Sequence, residues 1–303
     1  MRVLVVARSK KGRVAPFISE QVAALEKLGI ECCFFGVNRK GLLGYLAQYP
    51  ALKKAIRSYR PDIVHAHYGF CGVLANLQRK VPVVTTYHGS DINNPKALRL
   101  SRLAIRSSRF NIFVSQKNIE TACPNHTFAL IPCGINLEDY PLTDKMVARK
   151  EMGLSPDKKY VLFAGAFDNA VKNAPLAQAA VSQLDDVDLL ELKGYSRQEV
   201  ALLMNAADAF LLTSHTEGSP QVIKEALACG CPIVSVDVGD VKERIACIDG
   251  CQIVPSDAKA IAEALRNALA FDGRTQGRDA IVRDGLTNAQ IAEEISRIYQ
   301  SIR

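Results

Sequence analysis

Short apolar runs alternate with amphipathic segments along this chain, and the alternation occurs twice. Arg2–Ala7, Glu31–Phe35, Asp62–His65, Val83–Thr86, Phe110–Val114 and Phe128–Ile131 are apolar runs of strand length. Between them, Pro16–Leu28 and Leu42–Tyr59 repeat apolar residues at helical spacing. The pattern breaks at Pro132-Cys-Gly-Ile-Asn136 and Pro141, then turns polar from Thr143 to Lys159. It restarts with strands at Tyr160–Ala164, Val187–Leu192, Ala209–Leu212, Ile233–Val236 and Cys251–Val254. Helices are predicted near Ala174–Gln183, Arg197–Ala206, Gln221–Ala228 and Ala258–Phe271, with a terminal amphipathic helix from Asn288 to Arg303. Short apolar strands separated by helices imply parallel, doubly wound sheets. The fold class is therefore α/β, with two Rossmann-like domains over residues 1–141 and 142–285 and a terminal helix over 286–303.

The most informative segment is Glu217-Gly-Ser-Pro-Gln-Val-Ile-Lys-Glu225, continuing through Gly230-Cys-Pro232. Pro220 suits the first position of a helix, where its missing N–H costs nothing. Val222, Ile223, Ala226 and Leu227 make one apolar stripe, with Glu225 on its flank. Gly230 fits a helix end that needs positive φ, and Pro232 stops continuation. A helix entered this way offers free N–H groups and a positive dipole end to an anion such as a diphosphate. A carboxylate one turn in can accept both hydroxyls of a ribose. An ordinary surface helix explains the stripe, but not a glutamate locked into the turn.

This segment resembles the two-glutamate motif of family 4 glycosyltransferases, retaining enzymes of the GT-B fold. The resemblance implies that Glu225 binds the ribose of a nucleotide sugar. It implies that Glu217, Gly218, Ser219, Pro220, Gln221 and Val222 contact the donor's sugar and phosphates, and that the last helix returns to the first domain. Two domains facing a cleft follow from the same likeness. Val161-Leu-Phe-Ala-Gly165-Ala166 to Lys172-Asn173 is similar to the family's second phosphate-binding segment. There Lys172 is in place, but Ala166 stands where an Arg is usual, which puts turnover or donor geometry in question. Arg13 or Lys193 are candidates to replace that cation. Thr85-Thr-Tyr-His88-Gly is similar to the family's Thr-x-His-Gly, which places His88 near the reacting sugar. His88, Lys172 and Glu217 are thus the candidate catalytic residues.

Other signals are weaker. Lys10-Lys-Gly12-Arg13 follows the first strand, where the family carries a glycine-rich turn toward the donor; a basic surface loop is an equal reading. Tyr195, between a strand and a helix, either stacks on the donor's base or caps its own core. His65 and His67 fall on one side of a strand, as metal ligands or packed rings; no third ligand lies nearby, so packing is favoured. Asp186-Val-Asp188 imitates a metal motif at the wrong end of a strand and reads as a turn. No metal or other cofactor is implied.

Charge adds one feature. Residues 1–141 carry 20 Lys and Arg against 8 Asp and Glu, or +12; residues 142–303 carry 18 against 23, or −5, giving the overall +7. A basic half suggests an anionic partner. No nucleic-acid-binding motif accompanies it, so an anionic membrane surface is preferred, reached through Leu42–Arg60 and the arginines at 99, 102, 106 and 109. The expected acceptor is a glycan or lipid-linked sugar. With no apolar run near ~20 residues, no signal-peptide pattern, and nine cysteines read as reduced, the expected location is cytoplasmic, peripheral on the membrane's inner face. A non-hydrolysing nucleotide-sugar epimerase and a non-catalytic nucleotide-sugar binder are the rival readings.

Overall fold

In a computed structural model, which describes residues 1–39 and 41–303, the strands gather into two wholly parallel sheets. The first contains β1 (Arg2–Arg8), β2 (Glu31–Val37), β3 (Ile63–His67), β4 (Val83–Tyr87), β5 (Phe110–Phe113) and β6 (Phe128–Leu130), in the order β2-β1-β3-β4-β5-β6. The second contains β7 (Lys159–Phe163), β8 (Val187–Glu191), β9 (Ala209–Leu212), β10 (Ile233–Val236) and β11 (Gln252–Val254), in the order β11-β10-β9-β7-β8. Chain order reverses between β1 and β3 in one sheet, and between β7 and β9 in the other. In such sheets ligand loops gather at the carboxyl ends of the strands beside the reversal.

The helices in the first half are α1 (Pro16–Lys27), α2 (Gly41–Leu46), α3 (Tyr49–Tyr59), α4 (Gly69–Asn76), α5 (Pro95–Ser107) and α6 (Gln116–Ala122). Those in the second half are α7 (Lys145–Glu151), α8 (Ala174–Val181), α9 (Arg197–Ala206), α10 (Gln221–Ala228), α11 (Val241–Ile245), α12 (Ala258–Leu269) and α13 (Gly277–Arg283), followed by α14 (Asn288–Ile302). The single helix expected over 42–59 is two helices. Pro50 sits in the first turn of α3, so its ring and missing N–H start a new helix instead of continuing the old one.

Residues Met1–Gly134 and Leu286–Arg303 form one compact unit, and Ile135–Gly285 the other. Helix α14 belongs to the first core: Ile291, Ala292, Ile295, Ile298 and Tyr299 pack with Val3, Val5, Ile18 and Leu25. Each large apolar side chain so buried contributes roughly 1.5–3 kcal/mol. A capping box, Thr287 with Gln290, starts the helix. The break between units at Gly134 lies before the expected boundary after Pro141. Arg278 explains the shift, because it donates to the carbonyls of Tyr140 at 2.7 Å and Leu137 at 3.1 Å and so ties that segment to the second unit. The polar stretch after Thr143 is also anchored there. Asp144 caps α7, and buried Arg149 donates to Asp208 at 2.7 Å.

Candidate functional site

The candidate residues fall into two groups, one in each unit. In the second unit, the loops after β7, β9 and β10 carry the first group. After β7 the chain turns at Gly165 and reaches a 3-10 turn at Ala170–Lys172. The Thr213 hydroxyl, just after β9, donates to the carbonyls of Lys172 and Asn173 at 2.9 and 3.0 Å. That clamp fixes where the lysine begins. Its stem then crosses Gly165, where a Cβ would lie 2.9 Å from Lys172 Cγ, so a glycine is needed. The Lys172 Nζ donates to Glu217 Oε1 at 2.8 Å, with both side chains 17% exposed. The sequence placed both residues on the donor; the structure pairs them with each other. Ala166 supplies no cation beside them. Its loop is held instead by the Phe167 N–H, which donates to Glu191 at 2.7 Å. Lys193, a candidate replacement cation, is exposed and paired with Asp168 at 2.7 Å.

The turn Gly218–Pro220 leads into α10, with Pro220 as the N-cap rather than the first helical residue. Gly218 is crowded by Gly239, where a Cβ would lie 2.5 Å from the Gly218 carbonyl, and Gly239 has φ +57°. Only glycine lets these two loops touch. The helix ends as expected: Gly230 has φ +66°, Cys231 N–H bonds the Ala226 carbonyl and Gly230 N–H the Leu227 carbonyl, a Schellman pair.

Sequence reasoning missed Lys224. It is 1% exposed although it lies off the expected apolar stripe, while Val222, inside that stripe, is only half-buried. Its ammonium donates to Ser219 Oγ at 2.7 Å and Gln221 Oε1 at 2.9 Å. Ser219 donates to buried Asp240 at 2.9 Å, and Asp240 also accepts from Arg244 at 2.9 Å. The turn before α10 is therefore braced by a buried charged network. Helical periodicity sets position 224 off the stripe of Val222, Ile223, Ala226 and Leu227, so the sequence carries no local signal for its burial. Glu225 is half-buried on the same helix. Tyr195 is 43% exposed, which removes the reading of a core cap and leaves its ring available.

In the first unit, His88 follows β4 at a turn whose Gly89 has φ +98°. It is partly exposed and lies against Phe17 and Tyr68, with ring centroids 4.9 and 4.7 Å away. Behind it stand the two β3 histidines. His67 Nδ1 lies 3.0 Å from His88 Nε2, and the His65 and His67 rings stack at 4.5 Å. His65 uses both ring nitrogens, on Tyr299 of α14 at 2.5 Å and on Thr86 at 2.7 Å. With both nitrogens bonded, His65 has no lone pair for a metal, and the pair reads as packing. Among the described residues, no group of three or more His, Cys, Asp or Glu is placed to hold a metal ion. Asp186, in the Asp-x-Asp sequence, is a turn residue with φ +54°, and Asp188 pairs with Lys158 at 2.9 Å.

Burial keeps these imidazoles neutral. It pushes His65 down to about 3 and drives His67 well below its usual range, with the neighbouring rings adding to the effect. His88 is lowered as well, by burial and then by His65. Between neutral rings one N–H bridges His67 and His88. His67 Nε2 has no partner among the described residues. A proton on His67 Nδ1 leaves Nε2 an unfilled acceptor, which costs less than an orphaned N–H. That tautomer makes His88 a donor through Nδ1, on the side of Cys133 Sγ at 3.6 Å. Asp91 carries the opposite shift: burial raises its carboxyl to about 6, against N–H bonds from Gly69, His88 and Gly89.

A pH dependence follows. A histidine depressed on folding contributes stability that is complete above its unfolded value of about 6.5 and is lost as pH falls toward 3, at up to about 1.4 kcal/mol per pH unit. Asp91, raised on folding, contributes in acid and loses that contribution as pH rises through about 6. Two fully buried histidines outweigh one carboxyl between pH 6 and 4. The unfolding midpoint of the first unit is therefore expected to fall over that window, followed by thermal denaturation. A flat profile would contradict the neutral cluster.

Comparisons with known proteins bear on the family and the fold. The description "Glycosyltransferase Family 4" matches residues 2–139, and "Glycosyl transferases group 1" matches residues 160–270. TuaC of Bacillus subtilis, named as a teichuronic acid biosynthesis glycosyltransferase, is 29% identical over 239 residues; the match covers 69% of this chain and 61% of that protein's length. Among solved structures, sucrose-phosphate synthase from Thermosynechococcus elongatus superposes with a TM-score of 0.82 at 17% identity, covering 99% of this chain and 98% of that one. Anabaena HepE, solved in complex with UDP, gives 0.76 at 18% identity, covering 99% and 100%. The structural likenesses establish the two-Rossmann GT-B fold. Because the two family matches together span most of the sequence, the chain belongs to the glycosyltransferases of family 4.

Proposed function

We propose that this chain is a retaining, metal-independent glycosyltransferase that moves a hexose from a nucleoside-diphosphate sugar to an acceptor hydroxyl, in cell-surface polysaccharide or glycolipid biosynthesis. The observation that carries the reading is the turn Glu217–Gln221 entering α10, with Lys172 clamped beside it across Gly165. The bound UDP in HepE and the teichuronic acid pathway in TuaC's name favour the same reading. In this mechanism Glu225 accepts the ribose hydroxyls, and Ser219 to Gln221 and the start of α10 receive the diphosphate. The bond from the anomeric carbon to the diphosphate breaks while the acceptor oxygen bonds that carbon on the same face. The acceptor's proton passes to the departing phosphate oxygen. Lys172 neutralises the growing diphosphate charge, and His88 contacts the reacting sugar or the acceptor.

Ala166 favours one second reading, a protein that binds the donor without turning it over. A transfer assay with nucleotide sugars separates the two. Transfer with the anomeric configuration kept, read by proton NMR, supports the proposal. Inverted product contradicts the retaining step, and donor binding without transfer or hydrolysis favours the binder.

We also propose that the acceptor is presented at an anionic membrane. No described helix is long and apolar enough to cross one. The apolar side of α3 is already used, since Leu52, Ile56 and Tyr59 pack into the first unit's core. The exposed Lys53, Lys54 and Arg57, with Arg99, Arg102 and Arg106 on α5, leave electrostatic contact as the mode. At about 1 kcal/mol per basic residue, four or more retain a protein at such a surface. Co-sedimentation with anionic vesicles at low salt is the expected result; equal binding to neutral vesicles contradicts it.

A further inference from the structure

The first unit holds a cavity of about 560 Å³ at the carboxyl end of its sheet, whose lining includes Arg8, Lys10, Arg13, Tyr45, Tyr68 and Phe70. We propose that it is a subsite for an oxyanion, phosphate or carboxylate, carried by the sugar acceptor. This deepens the glycosyltransferase reading, and its test does not depend on transfer.

Three observations support it. The first is the hairpin after β1. Lys10 and Arg13 exchange backbone hydrogen bonds at 2.9 and 3.1 Å around Lys11 and Gly12, which have φ of +51° and +78°. Both central residues at positive φ make the two-residue hairpin turn that aligns the flanking pair. Directly opposed residues project their side chains to one face, where like charges repel. Neither cation, nor Arg8, has an ion-pair partner among the described residues. An anion between them relieves the repulsion that the turn builds in.

The second is the state of the one carboxylate in the cavity. Asp91 spends its oxygens on the N–H groups of Gly69 at 2.9 Å and His88 at 3.0 Å, so it is not aimed at the three cations. The third is Tyr68. Its backbone has φ +73° and ψ 146°, a region nearly reserved for glycine, and such strain clusters at ligand sites. The conformation turns the chain sharply from β3 into α4, and the same ring contacts His88. An aromatic wall of Tyr45, Tyr68 and Phe70 suits a sugar face, and the cationic rim suits its charged substituent. The chemistry is therefore a sugar phosphate or a uronic acid, free or within a larger glycan.

Calorimetry of the full chain with glucose 6-phosphate, glucuronate and glucose tests this. The anionic sugars are expected to bind at least tenfold more tightly than glucose, with the advantage shrinking as salt rises. Lys10→Gln and Arg8→Gln, both at exposed positions, are expected to remove it. Titration of UDP into the same variants separates the other source of phosphate. If UDP affinity falls while glucose 6-phosphate and glucuronate bind as before, the cations serve the donor and the proposal is overturned. Equal affinity for all three sugars also overturns it. Anionic-sugar binding without any transfer activity supports the subsite while contradicting the glycosyltransferase reading.

Discussion

Lys172→Ala is expected to lower kcat by ~10²–10³, with a smaller effect on the donor's KM. The reason is where the charge grows. Lys172 sits on a rigid turn held by Thr213, its stem is confined by Gly165, and its ammonium is paired with Glu217 before any donor arrives. A cation so fixed needs no reorganisation when the diphosphate takes up negative charge, and such preorganised contacts act mainly on the transition state. Lys172→Gln is the useful partner variant, because it keeps a donor for Glu217 while removing the charge. Steady-state kinetics of both variants decide the matter: a raised KM with kcat kept assigns Lys172 to ground-state binding instead. Ala166→Arg bears on the same charge. Faster turnover in that variant identifies the missing second cation, and an unchanged rate indicates that another group already supplies it.

The largest expected effect on stability is at Asp240. This carboxylate is 3% exposed and holds Ser219 and Arg244, while Ser219 in turn receives buried Lys224. Removing one partner of a buried pair typically costs about 3–5 kcal/mol, since the other charge stays buried. Asp240→Ala is expected to destabilise the second unit by that order in denaturant unfolding and to loosen the Gly218–Pro220 turn. A loss under about 1 kcal/mol would mean that the network contributes little. Asp240→Asn, which keeps an acceptor for Ser219, is expected to fall between.

Much of the architecture was legible because both-face-apolar strands and caps leave local marks. The strands were placed within a residue or two, and Arg197–Ala206 and Gln221–Ala228 were read at their observed bounds. What escaped depends on contacts distant in sequence. Helix α4 carries Gly69 and Gly72, each costing up to about 1 kcal/mol as helix formers. They are there because Cβ atoms would meet Ser101 Oγ at 2.0 Å and Thr85 at 2.8 Å, so α4 can lie against α5 and β4 only as glycine. Helix α7 hid in a polar stretch because its anchor is an ion pair, Arg149 with Asp208, rather than an apolar stripe.

The candidate site shows the same division. The segment around Glu217 and Glu225 carries local marks of a turn and helix, whereas Lys172 and His88 were singled out through the family resemblance; the structure sets each of these segments at the carboxyl end of a sheet. Three features were not readable: the Lys172–Glu217 pair, the burial of Lys224, and the strained Tyr68. The first joins loops after different strands, and the second depends on Ser219 being held by Asp240 from the loop after β10. The third is a backbone conformation for which a tyrosine gives no local signal, since the residue type argues against it.

In the proposed function, the turn before α10 and Glu225 hold a nucleotide sugar. Thermal unfolding of the wild type and Glu225→Ala against UDP-, GDP- and ADP-sugars tests it most directly. A ligand at 100 times its Kd stabilises the folded state by ~2.7 kcal/mol. The wild type is expected to shift with one nucleotide class, and Glu225→Ala, with an unchanged unliganded melt, is expected to lose that shift. No shift with any nucleotide sugar, or an equal shift in Glu225→Ala, would contradict the account.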